Sequence, residues 1–203
     1  MRTAWVYAVG LLFMAVSGLA IGRSSRGVGS VGLLPELEPQ VSGQGPVVPT
    51  GTSAHAWFAS IKPFCNTLEA ETALRQSRPP ANSGFEGPAY EAACLALAGR
   101  VDRARIIIGA LDSDQQWRAA GVVFEVAHSV ADAGDDKSAG PIMAMVADFW
   151  PNHYMALYHA GASEYAVGDR PKAREHLAHF LAAYPTEDGW RSNAQAILHE
   201  IGR

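Results

Sequence analysis

The chain has 203 residues, 48% of them apolar and 18% charged, with 16 basic and 20 acidic side chains and a formal net charge of −4. That length holds one ordinary domain with appendages, and the acidic balance, with three lysines and thirteen scattered arginines, excludes a basic nucleic-acid surface. Two cysteines, Cys65 and Cys94, exclude a disulfide-dense miniprotein and a metal cluster held by cysteine alone.

In chain order, residues 1–22 contain 16 apolar residues and no charge between Ala4 and Gly22; Arg2 precedes the run and Arg23 and Arg26 follow it. A signal-peptide core needs about 7 to 15 apolar residues, and a bilayer span roughly 20. The run lies between the two. It is expected to be a single-pass membrane anchor through residues 4–22, with the rest of the chain extracytoplasmic. Cleavage after Gly18-Leu19-Ala20, giving a secreted or periplasmic protein, is the alternative. Residues 23–52 hold six Gly, four Pro and eight apolar residues without any period. Such a segment buries too little surface to offset its ordering entropy and reads as a disordered Gly/Pro-rich linker.

From Ser53 onward the pattern is helical. Of 74 apolar residues in 53–203, 31 are alanine, the best helix former, and no stretch alternates apolar with polar. The expected class is all-α. Within this body Gly99, Gly134 and Gly168 are spaced 35 and 34 residues apart. Five residues after each lies Ala104, Ala139 or Ala173, and seven before each lies Ala92, Ala127 or Gly161. Pro151 and Pro185 are 34 apart, each preceded by an aromatic (Trp150, Tyr184). Each feature has a physical role. A glycine can take the left-handed conformation that ends one helix and turns the chain into the next. Small residues permit close helix crossing, and a proline ends the second helix. Asp169 is expected to cap the helix containing Pro171, Asp102 the helix around Ala104, and Ser138 a helix with Pro141 in its first turn.

This pattern resembles the tetratricopeptide repeat family over residues 85–188, with units at 85–118, 120–153 and 154–187 and a capping helix at 190–202 that carries Trp190, Ala194, Ile197, Leu198 and Ile201 at helical spacing. The third unit matches best, through Leu157, Gly161, Tyr165, Gly168, Ala173, Leu177 and Tyr184-Pro185. The first departs most, with Gln116 where the terminal proline belongs. Segments 55–61 and 67–76 read as a diverged helix pair ahead of the array. The resemblance implies a right-handed superhelical array of antiparallel helix pairs, an α-solenoid, whose concave wall is lined by the first helix of each pair.

Placed on that pattern, the wall carries Glu86 and Tyr90 from the first unit, Phe124, Glu125, His128 and Asp132 from the second, and Met155, Tyr158, His159 and Tyr165 from the third. Aromatic and methionine side chains suit an extended or helical peptide. None of these positions is Lys or Arg, so a clamp for a partner's terminal carboxylate is not expected, and a basic or apolar partner segment is. The implied function is a non-catalytic, membrane-tethered scaffold for a protein or peptide partner, without cofactor, metal or nucleic acid. Two other readings are carried: a metal- or histidine-dependent hydrolase drawing on His176, His179 and His199, and a self-associating structural protein. The bland reading of His176 and His179 is two solvent-facing helix residues. Asp135-Asp136 and Glu187-Asp188 read as turn residues that cap helices. Cys65 and Cys94 either form a bridge, in an oxidising compartment, or remain buried thiols.

Overall fold

The computed structural model describes residues 52–203, and every regular element among them is helical. The expected apolar span (1–22) and all but the last residue of the expected linker (23–52) lie outside the described residues. Among the described residues no helix is long and apolar enough to cross a membrane.

Helix α1 (Ala54–Ile61) starts at Ser53, whose hydroxyl oxygen accepts the Ala56 amide at 3.2 Å, and it buries Trp57, Phe58 and Ile61 along one face. A 3-10 turn containing Pro63 leads to the short α2 (Ala70–Gln76). The fully buried Trp57 ties the two together: its indole N–H donates to Ser77 Oγ at 2.9 Å, just beyond α2. Cys65, in the link between them, is disulfide-bonded to Cys94 of α3 (Glu86–Leu97), with the Cα atoms 4.8 Å apart.

The remaining helices are α4 (Val101–Gly109), α5 (Ser113–Asp132), α6 (Asp136–Phe149), α7 (Tyr154–Ala166), α8 (Arg170–Ala183) and α9 (Gly189–Ile201). Helices α3, α5 and α7 end alike. Gly99, Gly134 and Gly168 take φ values of 75°, 87° and 86°, a region that costs an ordinary side chain about 1 kcal/mol or more. In each turn the residue after glycine donates its amide to the carbonyl five residues back: Arg100 to Leu95 at 2.8 Å, Asp135 to Val130 at 3.2 Å, Asp169 to Glu164 at 2.8 Å. The glycine's own amide reaches back three residues, so both bonds satisfy the open carbonyl end and fold the chain into the next helix. Helices α6 and α8 end differently. Trp150 (ψ 75°) and Tyr184 (ψ 98°) have both left the helical region, which a following proline disfavours, and the helix stops there.

These turns pack α3 on α4, α5 on α6 and α7 on α8; α3 also meets α5, α6 meets α7, and α9 rests on both α7 and α8. All six of the small residues flanking the turn glycines, Ala92, Ala127 and Gly161 before them and Ala104, Ala139 and Ala173 after them, are buried. The apolar interior forms one cluster running from Trp57 to Ala160 and a second, around Leu157, Tyr158, Leu177 and Phe180, that α9 closes with Ala194.

Three local expectations are revised. Helix α5 is 20 residues long and runs through 118–120, where one unit was expected to end and the next to begin. The cause is the missing proline: Gln116 permits the helix to extend back to Ser113, and its Nε2 donates to the Gly109 and Leu111 carbonyls at 3.2 and 2.9 Å, finishing α4 from outside. Asp135, rather than Ser138, caps α6, accepting the Ser138 amide at 3.0 Å. Pro141 therefore sits in the second turn, and the Lys137 carbonyl gives up its usual partner there. Asp102 lies within the first turn of α4 and makes no side-chain cap, whereas Asp169 does cap α8 and Asp188 caps α9.

Candidate binding groove

The first helices α1, α3, α5 and α7 bring their exposed flanks to two adjoining depressions. The larger, about 770 Å³, lies between α1, α3 and α5. Its aromatic surface comes from Phe58, Phe85, Tyr90, Trp117 and Trp150, and its polar groups from His55, Lys62, Arg118, Glu125 and Ser129. The smaller, about 540 Å³, lies between α5 and the start of α7 and is lined by Phe124, His128, His153, Tyr154 and Met155. Glu125 and Trp150 belong to both and form the ridge between them.

Ring contacts fix this surface. Tyr90 stacks on Phe58 at 4.9 Å, and the edge of His55 meets its ring at 5.9 Å. Trp117 meets Trp150 edge-on at 5.5 Å, Trp150 meets His153 at 4.5 Å, and Tyr154 stacks on Tyr184 at 4.9 Å. The rings form two sets: His55, Phe58 and Tyr90 between α1 and α3, and Trp117, Trp150, His153, Tyr154 and Tyr184 around the starts of α5 and α7. Trp117 and Tyr154 keep nearly half their surface exposed, 46% and 42%. The Arg118 guanidinium lies 4.2 Å over the Phe85 ring, a cation–π contact.

Of the ten residues expected on the wall, five line these depressions, Tyr90, Phe124, Glu125, His128 and Met155, and Glu86 lines neither. Phe124 is 7% exposed, stacked on His128 at 4.8 Å, so it forms floor more than open wall. The other four lie elsewhere because of α9 and local pairing. Tyr158 and His159 are buried beneath Trp190, at 4.7 and 5.8 Å between rings, and Asn193 donates to the Tyr158 hydroxyl at 2.6 Å. Tyr165 hydrogen-bonds Glu200 of α9, which holds its phenol above the ordinary value. Asp132 sits 3.6 Å from His128 and lines neither depression. Helix α9 therefore covers Tyr158, His159 and Tyr165, while Met155 of α7 stays on the smaller depression.

Reading the sequence missed His55, Phe58, Lys62, Phe85, Trp117, Arg118 and Trp150. The signal for two of them was present: 118, 121, 122, 125 and 129 follow helical spacing, but a unit boundary at 118–120 placed Trp117 and Arg118 in a connection. Lys62 and Arg118 also correct the expectation of a wall without cations.

The histidines divide into two groups. His176 Nδ1 lies 2.7 Å from Glu164 Oε2, closing a polar contact between α8 and α7. Among the described residues no group of three or more His, Cys, Asp or Glu side chains is arranged to hold a metal ion. The second group is His128 and His153, which line the smaller depression, and the buried His159 behind them: His128 and His159 meet edge-on at 5.2 Å, and His153 caps α7 through Nδ1, which accepts the Ala156 amide at 3.3 Å. Burial pushes His159 below its ordinary pKa, and the neighbouring His128 adds to this, although Asp136 at 3.5 Å opposes it. Burial likewise lowers His153.

A histidine with a depressed folded pKa binds its proton more readily in the unfolded chain, so its contribution is intact above the unfolded pKa of about 6.5 and is lost as pH falls through that value toward the folded one. Stability is expected to decline on acidification, at a limit of about 1.4 kcal/mol per pH unit for one histidine. Urea unfolding over this range should give a shallower decline for His159→Gln than for wild type. Parallel curves would remove His159 as the source.

No family model, no curated protein and no solved structure matches this chain.

Proposed function

We propose that residues 53–203 form a tetratricopeptide-like array, an α-solenoid, and act as a non-catalytic scaffold that grips a segment of another protein in the paired depressions. The observation that carries this reading is the aromatic surface of two adjoining depressions that share Trp150, built from the flanks of first helices and open to solvent at Trp117 and Tyr154. Repetition of the glycine turn at Gly99, Gly134 and Gly168, with the helices from α3 onward packed mainly on their sequence neighbours, supports the array. The Cys65–Cys94 bridge supports an oxidising compartment. With the apolar run at 4–22, that favours an array tethered to a membrane and extracytoplasmic, or released there after cleavage.

A photo-crosslinking residue replacing Glu125 in the full chain, in its native cells, is expected to form an adduct with a distinct protein. The same residue at Ile106, which is 71% exposed on α4 and lines neither depression, is expected to form none. Equal adducts from both positions, or none from Glu125, would sink the groove assignment.

A further inference from the structure

The charges in the larger depression point to the kind of segment it takes. Lys62, Arg118 and Glu125 all line it and all are exposed. Among the described residues neither Lys62 nor Glu125 is in an ion pair, and Arg118 engages only the Phe85 ring. Three charged groups in one aromatic-lined depression thus lack a charged partner, although partners are common elsewhere on the surface: Glu71 with Arg103, Glu91 with Arg78, Glu187 with Arg191. An exposed charge stacked on a ring and lying at the edge of a desolvated surface gains most from a ligand that neutralises it there.

Their order along α5 adds a register. Arg118 and Glu125 are seven residues apart on one helix, a rise of about 10 Å. An extended chain advances about 3.3 Å per residue, so the same distance corresponds to about three residues of a bound strand. Lys62 lines the same depression from the turn that follows α1, at the level of Tyr90 and Cys94 rather than beside Phe85 and Arg118. Between the charges lie Gly121 and Val122, with Trp117 and Trp150 beside them, a stretch that offers only apolar surface.

We infer that the partner presents an extended segment with an acidic side chain and, about three positions away, a basic one, separated by apolar residues. The acid sits on Arg118, the base on Glu125, and the apolar side chains on the tryptophans. Recognition reads internal side chains in this arrangement, so a free carboxyl terminus is not required. This inference rests on the reading of the depressions as a binding groove.

The test is a random peptide library with blocked termini, panned against the full chain, followed by fluorescence anisotropy on the enriched peptides. Enriched peptides are expected to carry the acid–apolar–base spacing. Arg118→Glu is expected to weaken them at least tenfold, while Arg118→Lys keeps most of the affinity. Replacing the peptide's acid by lysine should restore binding to Arg118→Glu and abolish it with wild type. Peptides that require Trp117 and Trp150 yet lack the acid, or ignore the Arg118→Glu change, would overturn the charge register while leaving the groove. If no peptide is enriched, or if binding survives Trp117→Ala and Trp150→Ala together, both the groove and the register are overturned. Arg118 is exposed, so its variants keep the fold, which a thermal melt verifies.

Discussion

Replacing Cys65 and Cys94 together by alanine is expected to lower the unfolding free energy by about 3.5 kcal/mol. The bridge joins positions 29 residues apart, and closing a loop of that size restricts the unfolded chain by an amount between the about 3 kcal/mol of a 15-residue loop and the about 4.7 kcal/mol of a 100-residue one. Both sulfurs are buried, Cys94 completely, so alanine also leaves some unfilled volume between α3 and the turn after α1. For a domain of this length each kcal/mol moves the melting temperature by about 2–4 °C, giving a drop of about 7–14 °C. Without the bridge, α1 and α2 are held to the rest by Trp57, Ile61 and the Phe58–Tyr90 stack. These short helices are therefore the part that loosens first. Because α1 and its following turn supply His55, Phe58, Ala59 and Lys62 to the larger depression, loss of the bridge should also weaken any ligand held there. Reduced wild type and the double alanine variant should both melt well below the oxidised protein. A melting temperature indifferent to reductant would show that the bridge constrains nothing.

How much of this was legible in the sequence depends on the range of the interaction. The helical class and the glycine turns were readable because their causes are local: an alanine-rich composition, and a residue type that alone takes positive φ freely. Likewise Trp150-Pro151 and Tyr184-Pro185 announced two helix ends through a steric rule acting on adjacent residues. Cap identity was less legible, because Asp135 and Ser138 are both good caps three residues apart and the choice between them is settled by where the preceding glycine turn releases the chain. The groove was half legible. Tyr90, Glu125, His128 and Met155 keep the places the repeat pattern gives them, since those follow from helical phase. Tyr158, His159 and Tyr165 have the right phase too, but Trp190, Asn193 and Glu200 of α9 lie over them, a tertiary fact that no spacing within the third unit encodes. Lys62 enters the depression only because the α1 segment is fastened against α3.

The contact between α6 and α7 carries the second large effect. Gly140→Ala is expected to cost about 2 kcal/mol, and Ser163→Gly, added to it, to recover most of the loss. A Cβ at Gly140 would stand 2.0 Å from Ser163 Oγ and 2.3 Å from Ser163 Cβ. The hydroxyl can rotate away, but the Cβ is fixed to the backbone, so the helices must separate by about 1 Å to reach ordinary contact, disturbing a close-packed interior. Overpacking costs about 1–3 kcal/mol, here at the upper end because the 2.3 Å contact cannot be rotated away, and the roughly 1 kcal/mol that alanine gains over glycine inside a helix offsets part of it. Removing the opposing Cβ returns the space, and Ser163→Ala, which keeps it, should rescue nothing. Gly161 provides a contrast: a Cβ there would meet Leu177 Cγ at 2.6 Å and also the Leu177 backbone nitrogen at 3.2 Å. Shortening Leu177 would relieve only the first contact, so Gly161→Ala should be rescued incompletely by Leu177→Ala, which opens a cavity of its own. Urea unfolding of the four members of the Gly140/Ser163 cycle measures the coupling directly, and about 2 kcal/mol or more is expected. Additive effects, or equal rescue by Ser163→Ala and Ser163→Gly, would mean that α6 and α7 do not meet through these two residues.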